Sequence, residues 1–162
     1  MRWGFSVPVV AAVAVAAGCG GGGAKPLSKP ELIKRGDAIC TKYRQKNQEL
    51  NKSAPTKNPT DPSATDAQVK ASAPILGKLA DNLRAARSEF DDLEPPSDAA
   101  SDWRNTLDDL DQLASKLDSA ASAAREVDRQ RVVNEYGEIL RLNRRISTFE
   151  QDYGFKVCGS SG

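Results

Sequence analysis

The chain has 162 residues, with 23 basic and 22 acidic side chains, no histidine, and a single methionine at position 1. A net charge this close to zero excludes the broad basic face that a nucleic-acid partner needs. Without histidine there is no imidazole general base, no histidine-containing zinc or copper site and no Glu-x-x-His di-iron ligation. The lone Met excludes a methionine copper site as well.

At the N-terminus, Arg2 supplies a small positive charge, and Val7 to Ala17 form an uncharged run rich in Val and Ala. Such a run suits a signal sequence but is short for a membrane span, which needs about 20 apolar residues. Pro8 weakens a spanning helix further. The run ends Val15-Ala16-Ala17-Gly18-Cys19, which resembles the lipobox of bacterial lipoproteins, with Ala16 where that family more often has Leu. The resemblance implies a diacylglycerol on the Cys19 sulfur, removal of residues 1–18 and acylation of the new N-terminus. Residues 19–29 then form a lipidated cysteine and a tether made flexible by Gly20 to Gly23. An ordinary cleaved signal and an uncleaved anchor are the competing readings. Loss of Arg2 leaves 22 basic against 22 acidic residues, a mature net charge of zero.

Four stretches then carry helical periodicity. The first opens with Ser28 as N-cap and Pro30 in the first turn, where a missing amide hydrogen costs little. Ile33, Gly36, Cys40, Tyr43, Asn47 and Leu50 alternate in steps of three and four along one face. Pro55, Pro59 and Pro62 mark the following segment as a loop. The second helix lies between Asp66 and Leu93, its stripe being Val69, Ala73, Leu76, Ala80, Leu83, Phe90 and Leu93. Pro74 either kinks it or stands in its first turn behind a Ser72 cap, and Pro95-Pro96 ends it.

Ser97 is the expected cap of the third helix, where Trp103, Leu107, Leu110, Ala114, Leu117, Ala121 and Ala124 keep an unbroken rhythm. Asp98 and Asp102 suit the positive end of its dipole. The fourth runs from about Asp128 through Val132, Tyr136, Ile139, Asn143, Ile146 and Tyr153, with Gly154 as a natural C′ residue. No stretch alternates long enough to compete as a strand.

Four helices, each with one apolar stripe, bury those stripes most simply as an antiparallel bundle over residues 30–159, leaving 160–162 as a tail. The all-α domain therefore follows a signal peptide and a flexible tether. With Cys19 carrying lipid, Cys40 and Cys158 remain as an even pair in an oxidising compartment, so one structural disulfide is expected. It joins the first helix to the end of the fourth, which an up-down-up-down order makes neighbours. Lys25 to Ser53 holds eight basic and three acidic residues, and Ser97 to Asp128 three basic and eight acidic. Opposite segments of this kind suggest helices that attract within the bundle, although this order sets the two on a diagonal.

Chemistry is scarce. Asp108, Asp109 and Asp111 form the densest acidic cluster, with Asp91, Asp92 and Glu94 next, but they flank an apolar stripe as a solvated helix face does. No Gly-x-Ser-x-Gly, phosphate loop or dinucleotide glycine pattern occurs. Neither a catalytic residue nor a metal ligand nor a cofactor is expected. The aromatic residues fall mostly on core stripes, and Trp103 and Phe155 are the ones placed to reach a surface or pocket and touch a ligand or partner. Asn47 and Asn143 interrupt stripes and are placed to fix register.

Lipobox, tether, Asp37-Ala38-Ile39-Cys40, Leu93-Glu94-Pro95-Pro96 and the closing Tyr153-Gly154-Phe155-Lys156-Val157-Cys158-Gly159 together resemble small secreted lipoproteins of actinobacteria. That family has no assigned activity, so the resemblance implies a fold and an address alone. The expected protein is a non-enzymatic lipoprotein on the outer face of the cell membrane, held by lipid on Cys19. Its partner would be another envelope protein. A carrier or sensor of a small apolar ligand between the helices is the alternative.

Overall fold

Residues 25–159 are described by the computed structural model; the leader, Cys19 and the glycine tether lie outside the described residues. Four helices form an antiparallel bundle: α1 (Lys29–Asn51), α2 (Asp66–Asp91), α3 (Ala100–Glu126) and α4 (Arg129–Tyr153). None of them is long and apolar enough to cross a membrane.

The helix starts follow local chemistry. Ser28 holds the N-cap of α1 by position, without a side-chain cap bond, and Pro30 occupies the first turn. The second helix is one continuous element. Thr65 accepts from the Gln68 amide while the Gln68 side chain accepts from the Thr65 amide, a reciprocal capping box that starts α2 well before Pro74. Pro74 sits exposed on its outer face, and Ser72 is a buried helix residue whose hydroxyl donates to the Val69 carbonyl at 2.6 Å. The Ser97 cap is not realised: α3 starts at Ala100, with Ala99 as N-cap. Asp128 caps α4 by accepting from the Arg131 amide at 3.1 Å. Between them Val127 adopts left-handed φ 57, a costly conformation for a β-branched residue, so that the chain reverses within two residues.

Side-chain size grades the core from one end to the other. Ala120, Ala121, Ala123 and Ala124 of α3 are at most 1% exposed and pack with Val69, Ala73 and Val132 in one buried cluster. Small residues let backbones approach closely there. The opposite end is filled by rings. Phe90 meets Trp103 edge-on at 5.7 Å, Trp103 stacks with Phe155 at 6.2 Å, and Phe149 and Tyr153 complete the group. Leu27 donates its amide to the Glu94 carbonyl at 2.8 Å, so the chain enters α1 beside the Pro95-Pro96 turn at this aromatic end.

Helices α2, α3 and α4 pack in sequence, whereas α1 packs along α2 and reaches the end of α4 through the segment that follows it. Charge pairing has the same order. Acidic residues of α3 pair with arginines of its two neighbours: Asp118 with Arg84, Asp111 with Arg87, and Asp109 with Arg145. The basic surplus of α1 therefore does not neutralise the acidic surplus of α3. Its contact with α2 is instead Lys42 and Tyr43 on Glu89, at 2.5 and 2.7 Å, and Asn82 donating to Asn47 at 2.9 Å.

Three glycines separate close packing from open space. A Cβ on Gly36 would clash with the ring of buried Phe155, while Gly77 and Gly137 have nothing within 4 Å of theirs. Gly36→Ala should lower stability by about 1–3 kcal/mol through overpacking. Gly77→Ala and Gly137→Ala should each raise it by about 0.5–1 kcal/mol through helix propensity. Urea midpoints of the three variants check both signs.

Candidate functional site

The last helix ends in a motif that aims the chain back at α1. Gly154 takes φ 105; its amide donates to the Gln151 carbonyl at 3.0 Å, and the Phe155 amide to the Glu150 carbonyl at 2.8 Å. This pair of bonds is the Schellman arrangement, and its accompanying apolar contact is Phe155 on Phe149, 6.4 Å between ring centres. The turn seats Phe155 over Gly36 and leads Lys156, Val157 and Cys158 along α1.

There Asp37 takes the whole segment with one carboxylate. It accepts from the amides of Lys156 at 3.0 Å, Val157 at 2.8 Å and Cys158 at 3.2 Å. Hydrogen bonds to a charged acceptor are the stronger kind, about 1.5–3 kcal/mol each net. Arg44, two turns further along α1, donates to the Val157 carbonyl. Gln151 Nε2 donates to the Gly159 carbonyl at 2.9 Å. Cys40 and Cys158 are joined as a disulfide, their Cα atoms 5.3 Å apart across 118 positions of sequence. Closing a loop that long stabilises the fold by about 4–5 kcal/mol through lost unfolded-state entropy.

Beyond this hook, α1 and α4 do not pack on one another, and a cleft of about 540 Å³ lies between them. Leu83, Ala86 and Phe90 of α2 and Leu110 and Leu113 of α3 form its apolar floor. Asn47, Gln48 and Asn51 line one wall, and Asn143, Ser147 and Glu150 the other, with the disulfide at one end. The volume falls in the range of small-ligand sites, about 300–1,000 Å³.

Glu150 is the chemically distinctive residue of the cleft. Burial raises its carboxyl from the ordinary 4.5 to about 7, the Asp37 charge adds to the rise, and Arg44 opposes it. One of its oxygens and both disulfide sulfurs lie within 4.8 Å of one another. The sulfurs are bonded to each other, so they offer no thiolate to a metal. Tyr43 is raised to about 12 by burial and by its hydrogen bond to Glu89, whose own carboxyl is lowered by Lys42 and Tyr43.

Trp103 and Phe155, expected to reach a surface or pocket, are both buried, each 5% exposed. Trp103 lies at the centre of the ring cluster and Phe155 is locked over Gly36; the void they share is only about 10 Å³, room for one water at most, while Trp103 also borders a groove of about 310 Å³ beside Leu93, Glu94 and Pro95. The acidic cluster of α3 is engaged in ion pairs through Asp109 and Asp111, while Asp108 is exposed. Asn47 pins α1 to α2, and Asn143 lines the cleft. Glu150, Asp37 and Gly36 carry more of the site than the residues first singled out. Glu150 had a visible signal, because Ile146, Glu150 and Tyr153 continue the stripe of α4 in steps of four and three, setting a carboxyl among apolar positions.

The raised carboxyl sets a pH dependence. An unfolded chain releases this proton near 4.5 and the native chain near 7, so the native state binds the extra proton between those values. Stability from Glu150 is therefore present below about pH 4.5, falls as pH rises towards 7, and stays low above it. The loss is on the order of 2–3 kcal/mol. Glu150→Gln should flatten the difference between urea midpoints at pH 5 and pH 8 and exceed the wild type at pH 8.

No protein-family model, no curated protein and no solved structure matches this chain.

Proposed function

We propose that the chain is a non-enzymatic binding protein, anchored by lipid on Cys19 at the extracytoplasmic face of the cell membrane, that holds a small apolar ligand in the cleft between α1 and α4. The cleft carries this reading: it is ligand-sized, has an apolar floor built by α2 and α3, and is rimmed by amide side chains that can orient a polar end. The lipobox resemblance and the even pair of remaining cysteines support the address. Leu27 bonded beside the α2–α3 turn supports an orientation with the aromatic end towards the membrane and α1 rising from it.

A specific observation favours a second reading, an envelope protein as partner. Val133 and Leu140 of α4 are 48% and 59% exposed, seven residues apart with Gly137 between them, and so share one outward face. Two side chains are little beside the roughly 800 Å² per partner that a stable interface buries, which leaves the cleft the stronger feature.

Two experiments test the proposal. Metabolic labelling with an alkyne fatty acid should tag the protein, and Cys19→Ala should abolish the tag; labelling that survives the substitution removes the anchor. For the cleft, cis-parinaric acid should show a saturable fluorescence rise with the purified chain, and Leu83→Trp, which fills the cleft, should weaken it at least tenfold. Absence of saturation, with crosslinking at Leu140 recovering one envelope protein from intact cells, would move the function to the outer face of α4.

A further inference from the structure

We propose that the Cys40–Cys158 disulfide is an exchangeable bond that reacts with an external dithiol through the cleft, with Glu150 carrying the protons. Three observations support this. Both cysteines are only half-buried and line the cleft, so a small dithiol reaches them without unfolding the bundle. The carboxyl of Glu150 lies within 4.8 Å of both sulfurs, a gap bridged by one water or closed as the sulfurs separate. Finally, the hook does not depend on the covalent bond: Asp37 holds the amides of Lys156, Val157 and Cys158, and Phe155 is seated over Gly36. The two thiols of the reduced protein therefore stay side by side, ready to close again.

The exchange balances as follows. A thiolate of the dithiol attacks one protein sulfur, the Cys40–Cys158 bond breaks, and a mixed disulfide forms. The displaced cysteine leaves as thiolate and takes the proton of the Glu150 carboxyl. The carboxylate so formed takes the proton of the second dithiol sulfur, which attacks the first and expels the remaining cysteine. That cysteine takes up the proton released when the first dithiol sulfur ionised. The dithiol ends as a disulfide, oxidised by two electrons, and the protein as two thiols. Re-oxidation runs the same steps backwards: one cysteine ionises to solvent and attacks the external disulfide, the Glu150 carboxyl protonates the displaced sulfur, and the carboxylate so formed takes the proton of the other cysteine.

A carboxyl that titrates near neutrality is poised for both directions at physiological pH. Asp37 and Arg44 on α1 are the charges that act on it, while α2 and α3 present uncharged Phe90 and Leu110 to the same space. Neither the membrane anchor nor a cleft ligand enters the step, so the exchange stands or falls independently of both.

The test is the rate at which dithiothreitol reduces the folded full chain without denaturant, read by thiol alkylation and mass spectrometry from pH 5.5 to 8.5. Rates are divided by the fraction of dithiothreitol present as thiolate. The wild-type rate should fall about tenfold as pH rises through 7, when the acid is lost. Glu150→Gln should react about tenfold more slowly at pH 6 and show no such fall. Circular dichroism and the urea midpoint establish that the variant is folded, and Glu150→Asp should restore the pH dependence in part. Identical profiles for wild type and Glu150→Gln overturn the proposal. So does reduction no faster than global unfolding measured by hydrogen exchange, which would make the bond purely structural.

Discussion

Asp37 decides how this bundle closes. Its carboxylate sits on the third turn of α1 and binds three successive amides of a segment about 120 residues away. Those amides lie beyond Gly154, where the chain has turned out of α4 and away from its last carbonyls. Left unbonded, the half-buried amides of Val157 and Cys158 would each cost about 1–3 kcal/mol. Satisfying all three with one side chain turns an end effect into the main link between the first and last helices. The disulfide follows from that link: with Lys156 to Cys158 laid along α1, the Cys158 sulfur arrives beside Cys40, one turn beyond Asp37.

The same hook opens the cleft. Phe155 fills the space beside Gly36 that an α4 side chain would need in order to pack on α1. Its ring then joins Trp103, Phe149 and Tyr153, and the bundle gains a bulky aromatic end against an alanine-rich one. Helices α2 to α4 approach closely over their small residues, whereas α1 adds Leu32, Ile39 and Tyr43 to the core, pairs with α2 through polar side chains and joins α4 through the hook. The side of the bundle between α1 and α4 is thus closed at one end and open along its length, and Leu110, Leu113 and Ile146 face the opening. A tighter turn after α4, or an alanine at position 36, would remove the geometry that makes the cleft.

What could be read from the sequence divides along physical lines. Helix existence, the bundle and the cysteine pair rest on periodicity and counting, and Gly154 was readable because a C′ position demands left-handed φ. The start of α2 was ambiguous because Pro74 fits either a first turn or an exposed interior site, and only the Thr65–Gln68 box decides between them. Trp103 and Phe155 lie buried although each stands near a helix end, because both helix ends fold inward on one aromatic cluster. The charge argument failed on topology: segment totals ignore that arginines on α2 and α4 stand nearer to α3 than any lysine of α1. Asp37 had no readable signal, since an acid on a helix face is ordinary until its distant amides are known.

Glu150 is the point where local rules and the fold disagree. It occupies an apolar stripe position, and burial together with Asp37 makes its charged form unfavourable. Arg44 recovers part of that cost, but Arg44 also donates to the Val157 carbonyl, so it is not a dedicated counter-ion. A glutamine of the same shape would fill the position with no charge to bury. Elsewhere the levels mostly agree: stripes match helices, Thr65 and Asp128 cap the starts of α2 and α4, and most ion pairs lie at the surface. Chains consistent in that way break the pattern chiefly where a group has work to do. A carboxyl at a disulfide, facing a cleft that solvent can enter, is such a break. The Asp37 clamp holds the backbone of Cys158 beside that carboxyl through bonds that do not involve the sulfurs.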